Sequence, residues 1–343
     1  MLTSIKRLSK DSLIYGVGGA LARSVSILLL LIYAPLFGPQ TYGVLNNVNA
    51  VGALLLALLV FGLDGSTTIY YFDSDDPLKQ REVTTAWFYF SLIIALPVCA
   101  LMLLLAAPIA ALATRSADYA GLIQLSVAAA PFAVITFAFT NILRLRFKPF
   151  AYVALTLFTT LVNVAVGLYL VLGAGLGISG AIIGSLISAA ASAALGWWLT
   201  RDSYGTTLNW QLLGKMLRTG WPFAVASVAL WINNYFNGPL LAQLAPTEAI
   251  GQSWAGIYGA TLRISVIVAL AVSAFQLAWS PYSLSIANQP DSRRTYGKIL
   301  TYYTVLFGGL ALALGLFGRE ALTLLDRKGQ GYVQGYNILG LFC

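Results

Sequence analysis

Histidine is absent from the 343 residues, cysteine occurs only twice, and Asp, Glu, Lys and Arg together make up just 9% of the chain. Without imidazole, acid/base chemistry near neutral pH loses its usual carrier and zinc its usual nitrogen ligand. Cys99 and Cys343 give a disulfide framework nothing to build on. Most hydrolytic and metal-dependent enzyme classes are demoted on these grounds. The shortage of charge excludes more: a water-soluble globular chain carries about 25% charged residues, so the surface of this one has to be solvated by something other than water. Hydrophobic residues fill the gap at 59%, with a mean hydropathy of +0.80. Such a chain reads as an all-α polytopic membrane protein, because only internally hydrogen-bonded helices or closed barrels survive in hydrocarbon.

Apolar runs of about 20 residues, the length that crosses ~30 Å of hydrocarbon, lie near 13–37, 44–63, 86–112, 119–142, 150–173, 176–199, 221–244, 254–279 and 299–317. Nine spans are therefore expected, with a tenth beginning in "GYVQGYNILGLFC". The opening "MLTSIKRLSKDS" looks like a signal-peptide n-region. The apolar run after it is too long, however, and lacks a small-residue cleavage site, so it is expected to stay as the first helix. The net charge of +8 would fit a nucleic-acid footprint only if basic residues clustered on a folded face; here they fall in short loops. Lys6, Arg7, Lys10, Lys79, Arg81, Arg144, Arg146, Lys148, Arg201, Lys215, Arg218, Arg293, Arg294 and Lys298 all fall on one side of the expected membrane. Arg115, Arg319, Arg327 and Lys328 fall on the other, so the positive-inside rule predicts a cytoplasmic N-terminus. No loop is long enough for a soluble domain, which confines the function to the bilayer and its edges.

Two cations interrupt the apolar runs. Arg23 closes "GVGGALAR" and Arg263 closes "GIYGATLR", both of the form G-x-x-G-A-x-x-R and both near the middle of a span. An unpaired guanidinium there costs roughly 2.5–3.5 kcal/mol on insertion scales. Ser12, Gly16, Gly19, Arg23 and Ser26 share one helical face, so Arg23 is expected to point along a small, polar stripe into the bundle or a wet cavity. A lock against a carbonyl or carboxylate is the bland alternative. Two midplane cations with no clear carboxylate partner in the membrane favour an anionic ligand instead. The nearest acid, Asp64, is expected at the cytoplasmic end of the second span. Asn141, Asn163, Asn233, Asn234 and Asn237 are costly in lipid and should face one another or a cavity, as helix glue or as substrate contacts. "FDSDDP" resembles metal-binding acidic motifs, but in a short loop beside Lys79 and Arg81 it reads as a solvated turn. Gly180-x-x-x-Gly184 has helix-packing spacing. Tyr33, Tyr42, Trp87, Trp197, Trp198 and Trp221, near span ends, fit interfacial belts.

The start "LSKDSLIYGVGGALAR", the turn "LFGPQTYG", "FGLDGS" at the end of the second span, "TGWPF" opening the seventh, and "AIGQSWAGIYGA" with "AFQLAWSPY" in the eighth together carry a family likeness. In order and spacing, the chain resembles the polysaccharide-repeat-unit flippases of the multidrug/oligosaccharidyl-lipid/polysaccharide exporter superfamily. The resemblance implies a V-shaped, exporter-like pair of six-helix bundles around a cationic cavity. Residues 1–200 would form the complete N-terminal bundle, and residues 201–343 an incomplete second one. It implies alternating-access movement of a polyprenyl-diphosphate-linked oligosaccharide from the cytoplasmic to the outer leaflet of a bacterial or archaeal plasma membrane. The coupling ion would be H+ or Na+, with no cofactor, metal or nucleic acid, among membrane lipids and in functional association with glycan polymerase machinery. On that reading Arg23 and Arg263 meet the diphosphate, Asn163, Asn233 and Asn234 face sugar hydroxyls, and Asp64 serves coupling or gating. Where members of the family often carry an Asp-Arg pair late in the seventh helix, this chain has Asn237-Gly238. It also has fewer spans than such flippases, so a fragment or a truncated gene product is expected. The competing expectations are an exporter of drugs or of the peptidoglycan lipid precursor, a membrane glycan polymerase or ligase, and an inactive bundle. Cationic-drug export would favour intramembrane carboxylates, and a polymerase would need a large outer loop; the sequence has neither.

Overall fold

A computed structural model of the chain describes residues 2–286, 291–326 and 329–340. The side chain of Arg23, with those of other positions in 2–26 and 267–286, lies outside the described residues. Among the described residues the fold is entirely helical. The long helices, in chain order, are α1 (Leu2–Val60), α3 (Pro77–Leu104), α5 (Ala120–Leu145), α6 (Pro149–Leu168), α7 (Gly177–Thr200), α8 (Trp210–Tyr235), α10 (Glu248–Ile286) and α11 (Ser292–Thr323). Shorter pieces are α2 (Leu63–Phe72), α4 (Ala106–Thr114), α9 (Asn237–Leu244) and α12 (Tyr336–Leu339).

Local chemistry places the boundaries. α1 breaks at Gly38, whose φ of 72° and ψ of 167° fall between Pro35 and Pro39, so one long helical run supplies the first two expected spans. The next interruption was not expected where it occurs. "FGLDGS" does not end the second span but kinks it: Phe61 and Gly62 take left-handed φ values of 49° and 68°, and helix resumes through Phe72. The third span is interrupted at Leu105, and the seventh at Phe236 between α8 and α9. α3 is started by Pro77 and by Asp76, whose carboxylate accepts from the Leu78 N–H at 3.0 Å. Asp76 is thus a helix cap, and the acidic motif around it a turn with Asp73 and Asp75 exposed. Asn209 caps α8 in the same way, accepting from Leu212 N–H at 3.1 Å.

Six helical stretches among the described residues are long and apolar enough to cross a membrane: Ile27–Phe72, Pro77–Leu104, Ala117–Leu145, Pro149–Gly173, Gly177–Ser203 and Ser292–Thr323. The first of them covers the second expected span whole. The seventh and eighth expected spans fall on α8 with α9 and on α10. α11 exposes Leu300, Tyr302, Val305, Leu306, Leu312, Leu316 and Phe317, an apolar surface suited to hydrocarbon rather than water.

The chain divides into two compact units, Gln40–Gly256 and Met1–Pro39 with Ile257–Cys343. In the first, α7 lies against α5 and α6, α3 against α5, and α2 against α8. Gly184 allows α7 to approach α6: a Cβ there would stand 2.7 Å from the Gly167 Cα, so the Gly180-x-x-x-Gly184 spacing is a packing device, as read. One apolar core gathers Leu63, Tyr71, Val83, Trp87, Leu145, Leu213 and Met216; another gathers Phe139, Ile142, Leu143, Leu155 and Tyr204. Trp87, Tyr33 and Tyr42 are buried core residues rather than belt residues, whereas Trp197, Trp198 and Trp221 are exposed. In the second unit, Tyr332 donates to the Ala34 carbonyl at 3.0 Å and Gln330 to the Pro35 carbonyl at 3.2 Å, tying the C-terminal segment to the first helix.

Candidate functional site

Within Gln40–Gly256, one face of α1 runs along the seventh and eighth spans and changes character from end to end. At its upper end a Cβ on Gly43 would collide with the Gln252 carbonyl of α10, so the two backbones touch. One turn further, the fully buried Asn47 donates to Gln252 Oε1 at 3.3 Å, while the equally buried Gln252 donates in turn to the Thr114 carbonyl at the end of α4. Gly238 opens α9 to this amide, since a Cβ there would stand 2.6 Å from Asn47 Oδ1. Around the same helix ends Gln243 donates to the Ala111 and Leu112 carbonyls at 2.7 and 2.9 Å, and Arg115 to the Ala245 carbonyl. Side-chain donors thereby reach carbonyls at helix ends; the Ala111 carbonyl takes Gln243 as a second donor beside the Arg115 N–H. Next, Trp231 Nε1 donates to the Ala50 carbonyl at 2.8 Å. Below it the seam opens into an apolar cleft of about 370 Å³ lined by Ala57, Leu58, Phe61, Val225, Val228 and Ile232. It closes again where Gly62 meets Gly220, and where Tyr70 and Thr219 share a hydrogen bond of 3.1 Å.

Asp64 lies just past that crossing, in the first turn of α2. Helix continues beyond it to Phe72, so it stands inside a kinked helical run and not at its end. Among the described residues its Oδ1 is buried without a hydrogen-bond partner, as are the hydroxyls of Ser66 and Thr67 in the same stretch. A carboxylate in a helix's first turn is favoured by the macrodipole, and buried oxygens without partners are rare enough to call for a cause.

Of the other expected site residues, Asn163, Asn233 and Asn234 belong to the unit Gln40–Gly256. Asn163 is half-buried on α6 and makes no hydrogen bond among the described residues. Asn233 and Asn234 are exposed on α8, and Asn234 donates to the Leu230 carbonyl of its own helix at 2.7 Å. Asn141 donates to the Phe137 carbonyl at 2.8 Å and accepts from Arg144, both on its own helix α5. Arg263 is half-buried on α10, within the unit that also holds residues 1–39. The Arg23 side chain lies outside the described residues.

Asn47 and Gln252, both wholly buried, were missed in the sequence. Asn46, Asn47 and Asn49 crowd one apolar run, and that density was the available signal. Among the described residues no group of three or more acidic, His or Cys side chains could hold a metal ion.

Residues 8–287 match the family described as polysaccharide biosynthesis protein. The chain belongs to this family. No curated protein matches the sequence. Among solved structures, the chain is similar to the inward-facing conformation of a multidrug resistance MATE family transporter of the MOP superfamily. The TM-score is 0.71 at 15% identity, over 94% of this chain and 75% of that one. It is similar to a MATE protein crystallised in complex with MaL6, with a TM-score of 0.64 at 18% identity over 98% of this chain and 76% of that one. It is also similar to the bent form of the Vibrio cholerae MATE transporter VcmN, with a TM-score of 0.55 at 16% identity over 99% of this chain and 79% of that one. These likenesses give the chain a MATE-type, all-α fold. Family and fold agree with the six helical stretches that are long and apolar enough to cross a membrane.

Proposed function

We propose that the protein moves a polyprenyl-diphosphate-linked oligosaccharide from the cytoplasmic to the outer leaflet, with H+ or Na+ as coupling ion. The single observation that carries this reading is the family match over residues 8–287, because a polysaccharide biosynthesis protein with a transporter fold has a membrane-crossing glycan intermediate as its natural cargo. Chemistry supports it. A half-buried arginine within a long apolar helix, as Arg263 is on α10, is far less costly when a diphosphate can approach it. In this reading Arg263 and Arg23 attract the diphosphate, Asn163, Asn233 and Asn234 meet sugar hydroxyls, and Asp64 binds the coupling ion through its unpartnered oxygen. Residues 1–200 are one six-span bundle, and residues 201–343 belong to a second.

The test is flipping in vesicles. The purified chain is reconstituted with a fluorescent polyprenyl-diphosphate disaccharide, and outer-leaflet fluorescence is quenched with dithionite. Wild type is expected to expose the inner pool, Arg263→Ala to lose at least about tenfold in rate, and Arg263→Lys to keep part of it. Asp64→Asn is expected to abolish dependence on an imposed ion gradient. Equal rates in Arg263→Ala and wild type, at matched incorporation, would remove the diphosphate role.

A further inference from the structure

Residues 201–209 link α7 to α8, and their first part is fastened down by two arginines. Arg81, in the second turn of α3, donates from Nε to the Tyr204 carbonyl at 2.6 Å, and Arg146, capping α5, donates from Nη1 to Ser203 Oγ at 2.5 Å. Threonines complete the attachment: Thr84 Oγ1 donates to the Ser203 carbonyl at 2.5 Å, and Gly205 N–H donates to Thr85 Oγ1 at 2.7 Å. Two positive charges therefore converge on two consecutive residues. Both are held by neutral oxygens, and among the described residues neither forms an ion pair. Glu82, beside Arg81, accepts instead from Asn209 at 3.2 Å, and Asp202 is exposed. A guanidinium has five N–H donors, so most of those on Arg81 and Arg146 are unclaimed within the described residues. Tethering by uncharged acceptors fixes the forks in place without neutralising them, which is the preparation a bidentate anion site needs.

The surroundings identify the anion. Trp197 is 44% exposed and stacks on Tyr204 at 5.5 Å, while Phe147 and Phe150 are 51% and 72% exposed just beyond Arg146. An exposed tryptophan such as Trp197 marks the headgroup level of a bilayer, and exposed phenylalanines offer an apolar surface to the chains beneath it. Basic pockets between helices on the Lys/Arg-rich side bind anionic headgroups. We propose that Arg81 and Arg146 form a site for the phosphate of an anionic lipid headgroup, carried either by a membrane phospholipid or by a polyprenyl diphosphate. Its acyl or prenyl chain would lie along Phe147 and Phe150.

The test uses the full chain in phosphatidylcholine vesicles doped with phosphatidylglycerol in one arm and undecaprenyl diphosphate in the other, with retained lipid counted by native mass spectrometry. Arg81→Gln/Arg146→Gln is expected to retain about tenfold less of at least one dopant. Arg293→Gln/Arg294→Gln, at the start of α11, is expected to retain both as wild type does. Loss confined to phosphatidylglycerol identifies a phospholipid site. Loss of undecaprenyl diphosphate identifies a docking point for the cargo, an outcome that rests on the proposed function, whereas the phospholipid outcome stands without it. Unchanged retention of both overturns the proposal. Should the double glutamine variant fail to fold, wild-type retention measured between about 0.1 and 1 M NaCl decides: a charge-held headgroup must be released as screening grows, and salt-independent retention overturns the site.

Discussion

At the scale of single residues, the glycines of the seam decide how closely helices meet. Gly43 is helical and has no unusual φ, so its requirement is spatial: an added Cβ meets the Gln252 carbonyl, which is backbone and cannot rotate away. Gly43→Ala is expected to cost about 1–3 kcal/mol through overpacking and to lower the thermal midpoint of the purified protein. Gly121→Ala, where nothing lies within 4 Å of the new methyl, is expected to leave it unchanged or slightly raised, because helical alanine replaces helical glycine. Equal midpoints for the two variants would contradict the close contact. The sequence made Gly180 and Gly184 legible because their spacing alone describes a helix-packing groove. Asn47 was not legible in the same way. Asn46 is half-buried, Asn47 fully buried and Asn49 exposed, and which of the three turns inward depends on where Gly238 and Gln252 lie, far later in the chain. Trp87 shows the same limit: position near a span end says interface, but Leu63, Leu145 and Leu213 enclose it.

At the scale of elements, hydropathy and length located the helices, because a run of about 20 apolar residues has few alternatives in lipid. The breaks at Phe61–Gly62, Leu105 and Phe236 were less visible, since a kinked span keeps its hydropathy. The link after α7 shows what a short polar element can do when buried. Tyr204 is enclosed by Phe88, Phe139 and Trp197, and burial raises its phenol above the ordinary value of 10.0, with the Thr200 hydroxyl and the charge of Arg146 pulling the other way. The native state therefore holds the phenolic proton more tightly than the unfolded chain does. Its contribution to stability is complete below about pH 10 and is lost as pH rises from there toward the raised native value. Tyr204→Phe removes this loss. Thermal midpoints of wild type and Tyr204→Phe, measured from pH 8 to about pH 11.5, are expected to fall more steeply for wild type above about pH 10. Parallel curves would mean that Tyr204 ionises freely.

At the scale of the whole molecule, the family was legible because motifs of small residues, prolines and aromatics recur in a fixed order, even though each is weak alone. Orientation rests on a different kind of signal, the bias of Lys and Arg to one side. Turning the chain over would place Lys79, Arg81, Arg144, Arg146, Lys148 and Arg201 outside, against the positive-inside rule. The Arg81–Arg146 pair would then meet the outer leaflet, which the proposed lipid-linked cargo would reach only after transport. Sidedness is thus the premise that gives both the proposed direction of movement and the proposed cargo-docking role their sense. Single cysteines test it: Cys99 is buried and Cys343→Ser removes the other thiol, so an added cysteine reports alone. Asp118→Cys, exposed in the turn before α5, is expected to react with a membrane-impermeant maleimide on intact cells. Asp75→Cys, exposed between α2 and α3, is expected to react only after permeabilisation. The reverse pattern would invert the topology, and the proposed export would then have to begin at the arginine-poor face.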